Sequence, residues 1–500
     1  MGSERLLLGG APEGFDAELI RREVAKTGAP VIHVARDDKR LEAMRNALAF
    51  FAPDLVVLTL PGWDCLPYDR VSPNPDIVAL RMATLAGLVQ GVPGPFVLLT
   101  TLNAAMQRLP SRETVSASSF VAEVGRQVNE EALRGYLARM GYSPSPTVTD
   151  HGDFAVRGGI IDIFPPGNAE PVRLDLFGDV LDGLRHFDPA SQRTTGKLDR
   201  LELAPASEVI LDDASIARFR QNYRVEFGAA GTDDPLYEAV SVGRKQQGME
   251  HWLGFFHDRL ETLFDYVPNA SVLLDDQTEA VRAARWETIA DQYDNRREAM
   301  NAKGRIDTVY KPAPPTTLYL DDAGWAAALR HQRVIQLSPL RQPPGPGVLD
   351  AQGRAGRNFS LERQQENVNI FQALRDHIQT ERQTRAVLVA SWTEGASERL
   401  SGLLAEHGLT DARPVVDARE LKGKGAVHLA VWPLDAGFVT PDLVVISEQD
   451  VLGERLVRTQ RKKRAENFLT EAQGLTPGDL VVHVEHGVGR YTGLETITAM

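Results

Sequence analysis

The stretch "LLLGGAPEGFDAEL" carries the residues whose spacing comes closest to a chemical motif. A strand-like run ends at Gly9, a second glycine stands at Gly14, and a helix-like run begins at Phe15. This is the spacing of a phosphate loop, G-x-x-x-x-G-K-[ST], whose backbone N–H groups cradle phosphates. In a working loop the lysine reaches the β/γ-phosphates and the hydroxyl holds Mg²⁺. Here Phe15 stands at the lysine position, Asp16 stands at the hydroxyl position, and Glu13 adds negative charge inside the loop. A triphosphate would meet carboxylates and no cation, so the degenerate loop predicts no tight ATP binding. Chance spacing in a glycine-rich turn and descent from a working loop both fit, and neither gives catalysis.

The other candidates are weaker. "DLVVISEQD" has the look of an acidic box after a strand, but no intact phosphate loop accompanies it, so an exposed strand end is the plain reading. His483 and His486 in "HVEHG" are three apart, which in a strand puts them on opposite faces, and no further cysteine or histidine stands near them to complete four ligands. Cys65 in "WDCLPYD" has no evident catalytic partner and reads as a packed thiol. The basic run 454–466, "RLVRTQRKKRAE" with its leading glutamate, reads as a solvated helical face or as a contact for phosphate or an acidic surface.

The hairpin "FAVRGGIIDIFPPGNAEPVRLDLFGD", residues 154–179, is different because it places arginines among apolar strand residues. Period two puts Arg173, Asp175 and Phe177 on one face and Val172, Leu174 and Leu176 on the other. Symmetric closure would set Asp162 opposite Arg173 and bring Arg157 near Phe177. One reading is a cross-strand Arg173–Asp162 pair of small energetic worth. The other is an exposed face with two arginines around an aromatic, a composition that suits a protein interface with an acidic partner. The residues alone leave both open. The interface reading predicts that Arg173→Ala loses binding at nearly unchanged stability.

The elements that must position these residues follow from the hydrophobic pattern. Five hundred residues exceed one core, so several domains are expected. Apolar strands alternate with amphipathic helices over the first hundred residues, such as 15–27 with Phe15, Leu19, Ile20 and Val24 on one face. That grammar predicts a parallel, doubly wound α/β sheet in residues 1–118. Short alternating strands with a helix make 119–204 α+β, and residues 205–337 mix strands with long polar helices. The proline- and glycine-rich segment 338–358 reads as a linker. A further α/β domain spans 359–450, a basic helical connector 451–473, and short strands with glycine turns begin a small barrel at 474–500. A single cysteine excludes an internal disulfide framework and fits a reducing, cytoplasmic setting. The sequence has neither a signal-peptide layout nor an apolar run of the roughly 20 residues a membrane helix needs. A net charge of −13 argues against a protein that coats nucleic acid, so any DNA contact must be local.

The hairpin and its continuation to "RHFDPASQRT" are similar to a segment shared by UvrB, the damage-verifying helicase subunit of nucleotide excision repair, and by bacterial transcription-repair coupling factors. "WDCLPYDRVSPNPDIVALRMATL" resembles the coupling factor's form of the first domain. "GDLVVHVEHGVGRYTGLETI" resembles the opening of its RNA-polymerase-interacting module, a Tudor-like barrel also found in CarD-type regulators. The three motifs stand in the coupling factor's order. The resemblance implies a RecA-like first domain with a degenerate phosphate loop at Gly9, Gly14, Phe15 and Asp16. It implies a UvrA-binding domain whose contact falls on Arg157, Arg173 and Phe177. It also implies binding to the RNA polymerase β subunit; strand addition at an exposed edge of the barrel would then use Leu494 or Ile497 as apolar anchors. The family's ATP- and Mg-dependent double-stranded-DNA translocase follows that module, so these residues read as the N-terminal half of a longer protein, with no cofactor of their own. The stretch between Tyr68 and Asp76 is far shorter than UvrB's aromatic hairpin, so strand wedging is not expected. A UvrB-type ATP-dependent helicase subunit and a CarD-type transcription regulator are the rival readings.

Overall fold

A computed structural model describes residues 5–228, 234–301, 310–365, 367–453, 480–483 and 487–490. Residues up to Gly453 form one unit and those from Glu454 a second. The architecture of the first unit is mixed α/β, with three principal sheets.

The first sheet has seven strands in the order Val348–Asp350, Arg5–Gly9, Arg333–Leu337, Ser271–Leu274, Val31–Ala35, Phe96–Thr101 and Val56–Leu60. Every neighbouring pair is parallel. The strands Val31–Ala35 and Phe96–Thr101 are buried along their whole length, as a sheet covered on both faces requires. The helices Phe15–Thr27 and Asp38–Phe51 fall where the apolar spacing places them. The first stops at Gly28, whose φ of 64° a side chain would resist. The second starts at Asp37, whose carboxylate accepts from the Arg40 amide. Residues 271–274 and 333–337 therefore complete a sheet begun before residue 102, and everything between is inserted into it.

The largest insertion is a six-stranded sheet in the order Thr194–Leu198, Val180–Phe187, Val172–Phe177, Ile160–Ile163, Asp153–Arg157 and Ser143–Pro144. Its pairs are antiparallel except for the last. The helix Glu130–Arg139 packs Leu133, Tyr136 and Leu137 against Ile161, Ile163, Val172, Leu174 and Leu184, so one sheet face is core. The opposite face holds Arg157, Asp162, Arg173, Asp175 and Phe177.

The third sheet runs Arg354–Ala355, Phe438–Val439, Leu443–Ser447, Ala386–Ser391, Val427–Val431 and Arg413–Pro414, with its last four strands parallel. The segment 338–358 does more than link. Its strand Val348–Asp350 pairs with Arg5–Gly9 in the first sheet, and Arg354–Ala355 pairs with Phe438–Val439 in the third. In the second unit the strands Leu480–His483 and Gly487–Arg490 form an antiparallel pair. The basic connector from residue 454, His486, Leu494 and Ile497 lie outside the described residues.

Candidate docking surface and degenerate phosphate loop

The hairpin register sets Arg173 opposite Asp162, and Arg157 opposite Ile160, which in turn faces Asp175. Arg157 is thus level with Asp175, one row short of Phe177. Phe177 pairs with Val180 across a two-residue turn whose Gly178 has φ 61°. This positive φ is the conformation tight hairpin turns require. A register shift between Asp175 and Leu176 precedes it. The turn and the shift hold Phe177 out at the sheet's end, where it is 84% exposed beside the exposed Ile160 and Val180.

The two arginines differ. Arg173 donates from Nε and Nη2 to the two oxygens of Asp162 at 2.7 and 2.9 Å. Asp162 is 1% exposed, and the Arg173 side chain only 20%. The guanidinium also sits 4.7 Å over the Phe187 ring. The hydrogen bond to Asp162 raises the Arg173 pKa above its ordinary value. Arg157 is half exposed, donates to the Pro146 carbonyl, and has Nη1 3.9 Å from the same Asp162 carboxylate. Farther along the face, Arg185 approaches Asp175 at 3.3 Å. The outward surface is therefore an apolar knob of Phe177, Ile160 and Val180 with Arg157 and Arg185 at its rim. Arg173 supports this surface from inside rather than crowning it. Ile160 and Val180 join the surface without a motif to announce them; their signal in the sequence is an apolar residue of outward parity next to a glycine turn.

Five amides of the loop from Gly9 to Asp16 donate within the chain. Gly10 and Ala11 donate to Leu340 and Ser338, and Phe15 and Asp16 donate to Pro12. The Gly14 amide donates to the Asp16 carboxylate at 3.0 Å. Asp16 is buried and paired with Arg40, whose Nε lies 3.3 Å from Asp275. Arg36 spans Glu13 at 2.7 Å and Asp275 at 3.2 Å. Burial, with Asp275 and Glu13 nearby, outweighs Arg40 and pushes Asp16 up to about 6. The seat is full of the chain's own charges. Arg36, Arg40 and Asp275 escaped the sequence reading, although Asp275 ends the apolar strand "SVLLDD".

The weaker candidates resolve simply. Asp450 of "DLVVISEQD" is buried and accepts from the Gly437 and Ser447 amides at 2.8 and 2.9 Å, so the acidic box is a helix cap. Burial first, then Asp64 and Glu250, push the Cys65 thiol up to about 12, which leaves it unreactive. Among the described residues no cluster of histidine, cysteine or carboxylate could hold a metal ion, and no helix is long and apolar enough to cross a membrane.

Two family profiles match. The UvrB interaction domain covers residues 120–209, and the CarD-like/TRCF RID domain covers residues 475–500. The chain is 31% identical over 503 residues to the transcription-repair-coupling factor of Escherichia coli (strain K12), covering 99% of this chain and 42% of that protein. Those of Myxococcus xanthus and Bacillus subtilis (strain 168) are 31% and 24% identical, over 93% and 94% of the chain. The chain spans about two fifths of the length of these relatives, 40–42%. The resemblance to bacterial transcription-repair coupling factors thus extends along essentially the whole chain, and the six-stranded insertion coincides with the UvrB interaction profile.

Proposed function

We propose that this chain is the part of a transcription-repair coupling factor that recruits UvrA and begins the tether to RNA polymerase. The observation that carries the reading is the exposed Phe177–Ile160–Val180 knob, rimmed by Arg157 and Arg185, inside the segment that matches the UvrB interaction domain. An apolar aromatic centre with arginines at its edge is the composition of an interface hot spot. Arg173 serves that surface by keeping Asp162 neutralised beneath it. The first sheet is RecA-like in this reading and acts as scaffold, because its phosphate seat is occupied from within. Residues 475–500 open a Tudor-like barrel for the polymerase β subunit, and Leu494 and Ile497 are its proposed apolar anchors. ATP hydrolysis with Mg²⁺ and double-stranded DNA translocation belong to a motor outside these residues, and the setting is cytoplasmic. The filled loop disfavours a UvrB-type helicase, and similarity over 99% of the chain disfavours a free-standing CarD-type regulator. Competition tests the reading: this chain should displace labelled UvrB from UvrA. Simultaneous binding of both without competition would reject a shared surface.

A further inference from the structure

The third sheet packs directly against the degenerate loop. Phe438 lies 5.8 Å from Phe15, ring centre to ring centre. Trp432 stacks on Phe50 at 5.0 Å with planes 10° apart and meets Phe51 edge-on at 5.5 Å. These aromatics share one buried core with Leu388, Ala390 and Val445 of the third sheet and Ile20, Leu48 and Leu99 of the first region. Gly14 shows how close the approach is, since a Cβ there would lie 3.0 Å from both the Leu434 and Phe438 side chains. Lys39 to Asp435 at 2.9 Å and Arg419 to Asp54 at 2.8 Å add ion pairs at the edge.

We propose that the degenerate loop has become an interdomain lock: Asp16 and Arg40 close it from within, and Phe15 seats the third α/β region on it through Phe438. Each observation points the same way. Phe15, at the position of a phosphate-binding lysine, is buried against Phe438. Asp16, at the position of a Mg²⁺-binding hydroxyl, takes the Gly14 amide and the Arg40 guanidinium. Residues 338–358 tie both sheets together with one strand in each. The third region thereby has a role that needs no partner of its own. It packs along the helices Phe15–Thr27 and Asp38–Phe51, from Gly14 at one edge of the first sheet to Asp54 at the other.

The test is to restore the motif in the complete chain as Phe15→Lys with Asp16→Thr. A loop that had merely lost two side chains would regain Mg-ATP binding. A lock predicts no binding in calorimetric titration and a lower melting temperature, because a buried ring and a paired carboxylate are gone. Mg-ATP binding with a dissociation constant of about 10 μM or tighter overturns the proposal. Should that variant not fold, Phe438→Ala decides by hydrogen exchange. The amides of residues 14–17 are then expected to exchange about tenfold faster or more, although the substitution lies in another region. Exchange there within about twofold of the parent overturns the proposal.

Discussion

Replacing Arg173 by alanine removes both hydrogen bonds to Asp162, a carboxylate 1% exposed in the sheet. Breaking a buried pair by deleting one partner leaves an uncompensated charge, which costs about 3–5 kcal/mol. Arg173 is one-fifth exposed and Arg157 stays 3.9 Å from Asp162, so water entering behind the truncated side chain and the second guanidinium offset part of that cost. Its stacking on Phe187 contributes about 0.5–1 kcal/mol in the other direction. The net expectation is a loss of about 2–4 kcal/mol, confined to the six-stranded sheet. The exposed-interface reading of the sequence predicts instead that Arg173→Ala spares stability, and the buried Asp162 overturns it. Hydrogen exchange is the suitable assay because it reads one sheet at a time in a chain of several cores. Amides of 153–163 and 172–177 should exchange about 30-fold faster or more. The double variant Arg173→Ala with Asp162→Ala should recover much of the protection, since no orphan charge is left. Exchange in Arg173→Ala within about threefold of the parent would show the pair to be energetically idle.

Arg81 is fully buried and holds Glu208 through two hydrogen bonds at 2.6 and 3.1 Å, joining the first sheet region to the segment after the insertion. Arg81→Met should lower the melting temperature with a loss of about 3–5 kcal/mol, and Arg81→Met with Glu208→Leu should lose less; equal melting of parent and single variant would refute this. His251 is buried with no hydrogen-bond partner on either ring nitrogen, and burial pulls its pKa down to about 4 from an ordinary 6.5. The folded state therefore binds fewer protons than the unfolded chain between pH 6.5 and 4, so this stability is fully present above 6.5 and is lost as pH falls toward 4. His251→Phe, which keeps a ring beside Trp63 and Tyr68, should lessen the drop in melting temperature between pH 7 and pH 5; an unchanged drop contradicts the assignment.

Much of the fold is legible in the sequence because its signals are local. Phe15, Leu19, Ile20 and Val24 mark a helix, and "FVLLTT" marks a buried strand. Asp162 opposite Arg173 follows from pleat parity and loop length alone. What stays hidden depends on partners far along the chain. Nothing near Gly14 announces that Phe438 will cover it, and Arg40 meets Asp275 only after the sheet has brought them together. The segment 338–358 reads as a linker because its prolines and glycines are visible while the strand edges it pairs with are not. Parity gives Arg173 its face but not its depth; the bidentate hold on Asp162 draws it inward.

If UvrA docks on the Phe177 face, Phe177→Ala should break that contact. The side chain is 84% exposed, so folding should be untouched, with an unchanged melting temperature as the control. Titrating UvrA against parent and variant should show affinity weakened by about 30-fold or more, the loss expected when an interface anchor is truncated. UvrA affinity within about threefold of the parent, at equal melting temperature, would contradict the claim and move the docking surface elsewhere.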